Sequence, residues 1–456
     1  MAETAPAFKA AFKAAFKVLY VSHNHPAIRP GGLELYAQDL YEAAKEAGEF
    51  EPLLLARTGP PFSRLTRDEA GASFSLVGAD PNQYLFHTRT KPDLSNFDAL
   101  FGRATGKDDL VEDYAEFLAA QRPDVVHFHH TLHLGYDILR VTRNVLPDAP
   151  IVYSLHEYQP ICHRDGQMVR TGTNELCEEE SPRRCHECFP EITPQTFYMR
   201  KRFIQSHFEL VDCFIVPSEY VATRYAEWGV PRSKLVVKPY SRQPIDETAD
   251  QLERRGETRL RNRFGFFGQV NPYKGVDVLL EAMELLEGVD AHLWLFGANL
   301  EIQPLAFRER VGALLDRDGV RVTFAGSYER ADIPKLMARI DWVVVPSIWW
   351  ETGPIVVWEA FQNGRPVICS DIGGMSEKVT DGVDGLHFRT RDAADLARVL
   401  ARAAGTPGLW EKLHAGVPRE PAHTIGEDLE MTTALYKDLL AGRESLPERL
   451  EAAGRA

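Results

Sequence analysis

The sequence predicts an α/β protein made of two similar domains whose parallel sheets face one another across a cleft. Three observations carry that expectation. The chain has 456 residues, more than the roughly 250 to 300 that a single hydrophobic core usually organises. Short β-branched runs alternate with helical patterns along most of its length, as they do where a parallel sheet is covered on both faces. Finally, "VDCFIVPS" (211–218) is echoed by "IDWVVVPS" (340–347), with an Asp, an apolar strand and a Pro-Ser exit at matching places.

Each segment can be justified in order. Residues 1–17 form an N-terminal tail whose "AFKAAFKAAFK" puts Phe8, Phe12 and Phe16 near one helical face, with Lys9, Lys13 and Lys17 beside them. It reads either as a frayed leader into the first strand or as a weak membrane-surface anchor. The first domain, 18–240, opens with the apolar strand "KVLYVSHNHP", the loop "AIRPGG" and the helical pattern "LELYAQDLYEAAKEAG", which stops at Gly48. The pattern returns in "PDVVHFHH", "PIVYSLHEY" and "VDCFIVPSEYVATRYAEWG". A charged connector, "ADQLERRGETRLRN" (249–262), leads into the second domain, 241–424. Its strands are expected in "RFGFFGQV", "AHLWLFGA", "VRVTFAG", "IDWVVVPS" and "RPVICSD". The closing segment, 425–456, carries a helical pattern that periodicity alone assigns to neither domain, a return to the first being the candidate placement. Ligands of such sheets bind beyond the carboxyl ends of the strands, so the cleft is the expected site.

Composition narrows the partners. Hydrophobic residues make up 44 % and charged residues 26 %, which is ordinary for a folded globular chain. A formal charge of −14 disfavours nucleic acid and anionic lipid, so a bound phosphate must be met by a local pocket. No run approaches the roughly 18 apolar residues of a membrane span, and the start lacks a secretory signal core, which predicts a cytoplasmic protein. Oligomeric state is not legible.

The chemistry concentrates in "PSIWWETGPIVVWEAFQNGRPV" (346–367). Pro354 is suited to the first turn of a helix and Thr352 or Gly353 to its cap, which puts Glu351 in a loop and Glu359 inside the helix. The amides at that helix start suit phosphate or sugar hydroxyls, and a carboxylate on either side can accept hydrogen bonds from a polyol. Taken alone, the pair fits a solvated helix residue and a turn residue equally well. Two more strand-end loops, "GQVNPYKGVD" (268–277) with Lys274 and "SDIGGMSEKV" (370–379) with Gly373 and Gly374, converge on one anionic ligand.

The run Gly268 to Lys274, the strand exit "FAGSY", and "PSIWWETGPIVVWEAFQNGRPVICSDIGGMSEKVTDGVDGLHF" resemble the donor domain of retaining family-4-type glycosyltransferases of the GT-B fold. The resemblance spans most of residues 18–440. It implies two Rossmann-like domains, a nucleotide diphosphate sugar as donor, and an unidentified acceptor: a glycan, a lipid-linked molecule or a small molecule. It also implies metal-independent chemistry, with no cofactor for catalysis. By that likeness Glu359 would bind ribose hydroxyls, and Glu351 hydroxyls of the transferred sugar. The backbone of Gly353, Pro354, Ile355 and Val356 would steady sugar and phosphates, Lys274 would neutralise the diphosphate, and Gly326, Ser327 and Tyr328 would border the base. Gln269 stands where the family often carries Arg, with Arg29 as a substitute cation. Gly31 and Gly32 match the family's flexible glycine loop, and His156 the histidine placed near the reacting carbon. Readings of the same fold with other outcomes are a nucleotide-sugar epimerase, a phosphorylase, or a catalytically silent sugar-nucleotide-binding protein.

A cysteine-rich insertion (159–193) holds Cys162, Cys177, Cys185 and Cys188. Their clustering is compatible with a structural zinc, with iron–sulfur ligation, with free or redox-active thiols, or with disulfides. Cys213 and Cys369, in apolar strands, read as inert core residues. The run "HFHHTLH" (127–133) has irregular metal spacing and reads as strand-end structure or acceptor contact. Arg200, Lys201 and Arg202, in the helical pattern 194–212, read as a solvated face or as a patch for an anionic or lipid-linked acceptor.

Overall fold

A computed structural model describes residues 16–29, 31–59, 63, 66–88, 107–241, 260–286, 288–317, 319, 321–418 and 424–442. Phe8, Lys9, Phe12 and Lys13 of the opening repeat, and most of the connector 249–262, lie outside the described residues. The chain divides into two compact units: Met1–Ser154 with Ser206–Cys213 and Leu429–Leu446, and Leu155–Gln205 with Phe214–Asp428 and Pro447–Ala456.

One sheet has eight strands: β1 (Lys17–Ser22), β2 (Glu51–Thr58), β3 (Phe74–Val77), β4 (Asp80–His87), β5 (Val125–Phe128), β6 (Ile151–Ser154), β7 (Cys213–Val216) and β8 (Leu235–Val237). Their order is β3-β4-β2-β1-β5-β6-β7-β8. The β3–β4 pair is antiparallel, joined through Gly78 at φ 59°, a left-handed conformation that a two-residue hairpin demands and glycine supplies. The second sheet has β9 (Arg263–Gln269), β10 (His292–Ala298), β11 (Val322–Gly326), β12 (Trp342–Val345), β13 (Val367–Ser370) and β14 (Gly385–Phe388). It is parallel throughout, in the order β11-β10-β9-β12-β13-β14. The apolar runs read from the sequence are these strands; β9, β12 and β13 are buried almost throughout, whereas β11, at the sheet edge, is largely exposed. Period-two alternation distributes their side chains. Phe264, Phe266, Trp342 and Val344 enter one core layer of the second unit, while Phe267, Val343 and Val345 enter the other. Each such side chain, fully buried, contributes about 1.5–3 kcal/mol.

The echoed Asp has a structural explanation. Asp341 accepts from the backbone N–H of Arg263 at 3.0 Å, while its own N–H donates to the Arg263 carbonyl at 2.8 Å. Asp212 does the same with Ile151 at 2.7 and 2.9 Å, and Asp124 with Lys17 at 2.7 and 2.8 Å. In all three places the acid clips the start of one strand to the start of its neighbour and so fixes parallel register. "Asp before an apolar strand" is therefore a folding signal in this chain, which is why it recurs.

The helix Ile425–Leu440 is divided between the units. Its Asp428, in the second, accepts from Lys238 Nζ and from Ser241 Oγ, the latter at 2.6 Å. Its Tyr436, in the first, shares a hydrogen bond of 2.6 Å with His127 Nδ1. The strand orders place a reversal of winding between β1 and β5 in one sheet and between β9 and β12 in the other. The carboxyl ends of strands at such reversals are where the backbone leaves a crevice for ligands.

Candidate functional site

Beyond β9 and β12, both in the second unit, the crevice is lined by two loops that the sequence fixes locally. After β9, the Asn271 side chain accepts from the N–H groups of Tyr273 (3.0 Å) and Lys274 (3.1 Å), closing a tight turn over Pro272–Lys274. Gly275 follows at φ 66°, and a Cβ there would collide with the Pro346 carbonyl oxygen. Only glycine lets the two loops approach this closely. Lys274 Nζ thereby reaches Glu351 Oε1 at 2.6 Å.

Glu351 is 5 % exposed, and the same oxygen also accepts from Ser347 Oγ at 2.7 Å and Trp349 Nε1 at 2.8 Å. The Lys274 ammonium lies 5.6 Å from the centre of the Trp349 ring. Three donors thus converge on one carboxylate oxygen and fix its plane. Neither Ser347 nor Trp349 carries a role in the sequence reading. The signal was the i, i+2, i+4 spacing of 347, 349 and 351 along a strand exit, which brings alternate side chains to one side.

The remaining candidates of the second unit surround this pair or stand apart from it. Gly374 N–H donates to the Glu351 carbonyl at 2.8 Å, and a Cβ on Gly374 would lie 2.7 Å from the Thr352 carbonyl oxygen. The helix Ile355–Gln362 begins after Pro354, which is its cap residue (φ −65°, ψ 113°) and not a residue of its first turn, a one-position shift from the sequence expectation. Ile355 and Val356 open that helix, and half-buried Glu359 is its fifth residue. Gly353 packs with no room to spare: a Cβ would meet Pro217 and Tyr240 at 3.2 Å. Gln269 ends β9 exposed. Gly326 ends β11 at φ 78°, Ser327 is exposed, and Tyr328 packs edge-on against Phe267 at 5.6 Å. His156 Nδ1 shares a 2.7 Å hydrogen bond with Tyr240 OH, and its carbonyl accepts from Thr352 Oγ1 at 2.9 Å. His156 is thus tied to the residue that follows Glu351. Trp350 turns the other way, donating to the Cys177 carbonyl at 3.0 Å and stacking on Tyr220 at 5.0 Å.

In the first unit, Gly31 caps the helix Gly32–Ala47. A Cβ on Gly31 would meet Glu34 Oε2, the end of the carboxylate folded back beneath it. Glu34 Oε1 meets His23 Nε2 at 3.2 Å, and burial pushes its pKa up. Arg29 lies in the adjoining turn, its carbonyl accepting from Asn24 Nδ2 at 2.8 Å. Glu34 was not anticipated, although Glu at the third helical position is a familiar partner of the cap. In the histidine run, His127 bonds Tyr436 and Ser154 (2.8 Å to Oγ) and stacks on His129 at 4.4 Å, which makes it part of the packed strand ends.

Of the readings open for the cysteine cluster, the structure supports free thiols and not a zinc site. All six cysteines are free thiols, and among the described residues no group of three or more metal-ligating side chains is assembled. Burial pushes the Cys162 thiol up to about 11 and the Cys185 thiol up to about 12. The Cys177 thiol donates to the Glu179 carbonyl at 3.2 Å. Guanidinium groups hold the segment together. Buried Arg200 donates to the carbonyls of Gln159 (2.6 Å) and Pro160 (2.9 Å), and Arg164 to those of Val169 (2.8 Å) and Arg170 (2.9 Å). Arg200, Lys201 and Arg202 do not share a face: Arg200 points inward, Lys201 pairs with Glu180 at 3.2 Å, and exposed Arg202 bonds Gln205.

Burial, then the charge of Arg200, push the His163 pKa from 6.5 down to about 4. The folded state therefore binds fewer protons than the unfolded chain between those values. The stability this histidine contributes is present above pH 6.5 and is lost as the pH falls from about 6.5 to about 4. His163→Phe is expected to flatten the acid limb of Tm against pH in that window; an unaltered limb would refute the assignment.

Comparison with known proteins follows the same division. Residues 261–405 match the family described as glycosyl transferases group 1, and residues 30–239 match glycosyltransferase family 4. The chain is 28 % identical over 209 residues to an alpha-D-kanosaminyltransferase of Streptomyces kanamyceticus, covering 42 % of this chain and 51 % of that protein. The chain thus spans about half the length of that curated relative. A D-inositol 3-phosphate glycosyltransferase of Jonesia denitrificans is 25 % identical over 418 residues, 87 % of this chain and 89 % of that protein. The crystal structure of Anabaena Alr3699/HepE in complex with UDP and glucose shares the fold, with a TM-score of 0.60 at 18 % identity over 92 % of this chain and 99 % of that one. Among the described residues, no helix is long and apolar enough to cross a membrane. With parallel α/β sheets, the glycine-bounded loops and both family matches in agreement, the chain belongs to the family-4-type glycosyltransferases of the GT-B fold.

Proposed function

We propose that this protein is a retaining glycosyltransferase that moves a sugar from a nucleotide diphosphate sugar to a hydroxyl of an acceptor, without a metal in the chemistry. The observation that carries the reading is the Lys274–Glu351 pair, 2.6 Å apart at the winding reversal of the second sheet and followed by a helix start at Ile355. A cation and helix amides suit a diphosphate, and a buried, oriented carboxylate suits sugar hydroxyls. Glu359 holds the ribose, and Gly326, Ser327 and Tyr328 flank the base. Gly353, Pro354, Ile355 and Val356, with Gly373 and Gly374, border the phosphates and sugar. His156, oriented by Tyr240, faces the reacting centre, and Gly31 and Gly32 form the loop of the first domain that serves the donor and acceptor.

In the reaction, the bond from the anomeric carbon to the diphosphate oxygen breaks and one to the acceptor oxygen forms on the same face. The acceptor proton passes to the departing diphosphate. Rate then comes from positioning and from stabilising the charge that grows on the leaving group, each supplying several kcal/mol. The Jonesia denitrificans relative, by name a D-inositol 3-phosphate glycosyltransferase, supports a small polyhydroxylated acceptor.

Thermal shift with UDP, GDP, ADP and dTDP sugars tests the reading, because a ligand at a hundred times its Kd adds about 2.7 kcal/mol. One donor family should raise Tm, and Glu359→Ala should erase its preference over the 2′-deoxy analogue. A full preference in that variant, or no shift with any donor, would sink the site. NMR of the product anomer checks retention.

A further inference from the structure

The geometry around Glu351 points to a function for two residues that the donor reading leaves without one, and the inference rests on that reading. We propose that Trp349 and Ser347 are positioning residues: they hold Glu351 in place while Lys274 exchanges this carboxylate for the diphosphate of the donor.

Lys274 Nζ cannot give its full charge both to Glu351 Oε1, which it touches at 2.6 Å, and to a diphosphate. The more highly charged ligand draws the ammonium away. Glu351 is then a carboxylate at 5 % exposure that has lost its counter-ion, a costly state unless other donors remain. Ser347 Oγ (2.7 Å) and Trp349 Nε1 (2.8 Å) are those donors, aimed at the same oxygen. Ser347 is fully buried, which removes the freedom to turn elsewhere. The Trp349 ring lies 5.6 Å from the ammonium, so its face also guides Lys274 along the path between the two partners.

The exchange couples the two ends of the donor. A nucleoside diphosphate alone displaces Lys274 and leaves Glu351 short of one donor, whereas a nucleotide sugar brings a sugar hydroxyl that replaces the ammonium. Trp349 therefore matters most to the bare diphosphate, in whose complex Glu351 depends on Trp349 and Ser347 alone, and less to a sugar nucleotide, whose hydroxyl takes the place of the ammonium. A purely structural tryptophan would affect both ligands alike.

The test uses the full-length protein and UDP, GDP, ADP and dTDP, each paired with its glucosyl conjugate, with Kd measured by calorimetry. The expected result in Trp349→Phe, which keeps a ring face and removes the N–H, is a Kd for the preferred diphosphate raised about tenfold or more, the weight of a hydrogen bond to a charged group. The conjugate, whose hydroxyl still serves Glu351, should lose less, so that its affinity relative to the diphosphate rises. Ser347→Ala should act in the same direction, and the double variant more strongly than either alone. An unchanged ratio in Trp349→Phe and Ser347→Ala overturns the proposal. So does an equal loss for diphosphate and conjugate, which would assign both residues a structural role. If the wild-type protein binds the conjugates but Lys274→Ala leaves diphosphate affinity intact, the exchange is wrong while the donor site survives. If the wild-type protein binds none of the eight compounds, the donor reading itself fails.

Discussion

Glu351→Ala is expected to lower kcat/KM for sugar transfer by about two to three orders of magnitude, the range seen when one preorganised polar group is removed from a reacting centre. The carboxylate is the common acceptor of Lys274, Ser347 and Trp349. Its loss removes the group proposed to meet the sugar and releases the ammonium proposed to meet the diphosphate. Glu351→Gln separates the two effects: the amide oxygen still accepts from Ser347 and Trp349, but the ion pair to Lys274 is gone. The glutamine variant should therefore retain diphosphate binding and lose most of the rate. Initial-rate kinetics with the donor of largest thermal shift, alongside circular dichroism to confirm folding, decide the matter. A glutamine variant within about threefold of wild type would remove Glu351 from the reaction.

Asp428→Ala is expected to destabilise the second unit by about 3–5 kcal/mol, because it takes the carboxylate away from a buried ammonium. Asp428 is fully buried and the Lys238 side chain is 3 % exposed. Burial already pushes the Lys238 pKa down, against the attraction of Asp428. Without the acid, the fold prefers the neutral amine while the unfolded chain stays protonated, so the folded state binds fewer protons. The deficit should then shrink as the pH rises toward the unfolded value of 10.5. Thermal melts should show Tm lower by something on the order of 10 °C at pH 7, and by less at pH 9.5. A fall that is independent of pH would argue that packing, and not charge, was lost.

Much of this architecture was legible because it is written locally. Runs such as "WVVV" and "VICS", short and rich in β-branched residues, read as strands buried on both faces, and Gly48 ends its helix at φ 64° as a left-handed cap. The loop bearing Lys274 was legible for the same reason, since Asn271 and Gly275 define its turn within five residues. The cysteine cluster stayed ambiguous because spacing records which side chains are near in sequence, not which are aimed at a common point. Arg200, read as one of three surface cations, instead sits beneath that segment and satisfies its carbonyls.

By itself, then, the sequence determined the alternation of strands and helices, the positions of the strand-end loops and the acidic and basic groups they carry. These depend on side-chain period and on the few residues able to adopt special backbone angles. Only the tertiary structure decided which of those groups meet. Lys274 and Glu351 lie 77 residues apart, and Lys238 and Asp428 lie 190 apart. Their pairing depends on β12 lying beside β9 and on where the last helix runs. The strand order that brings them together is chosen by burial summed over the whole core, which no short window of residues contains.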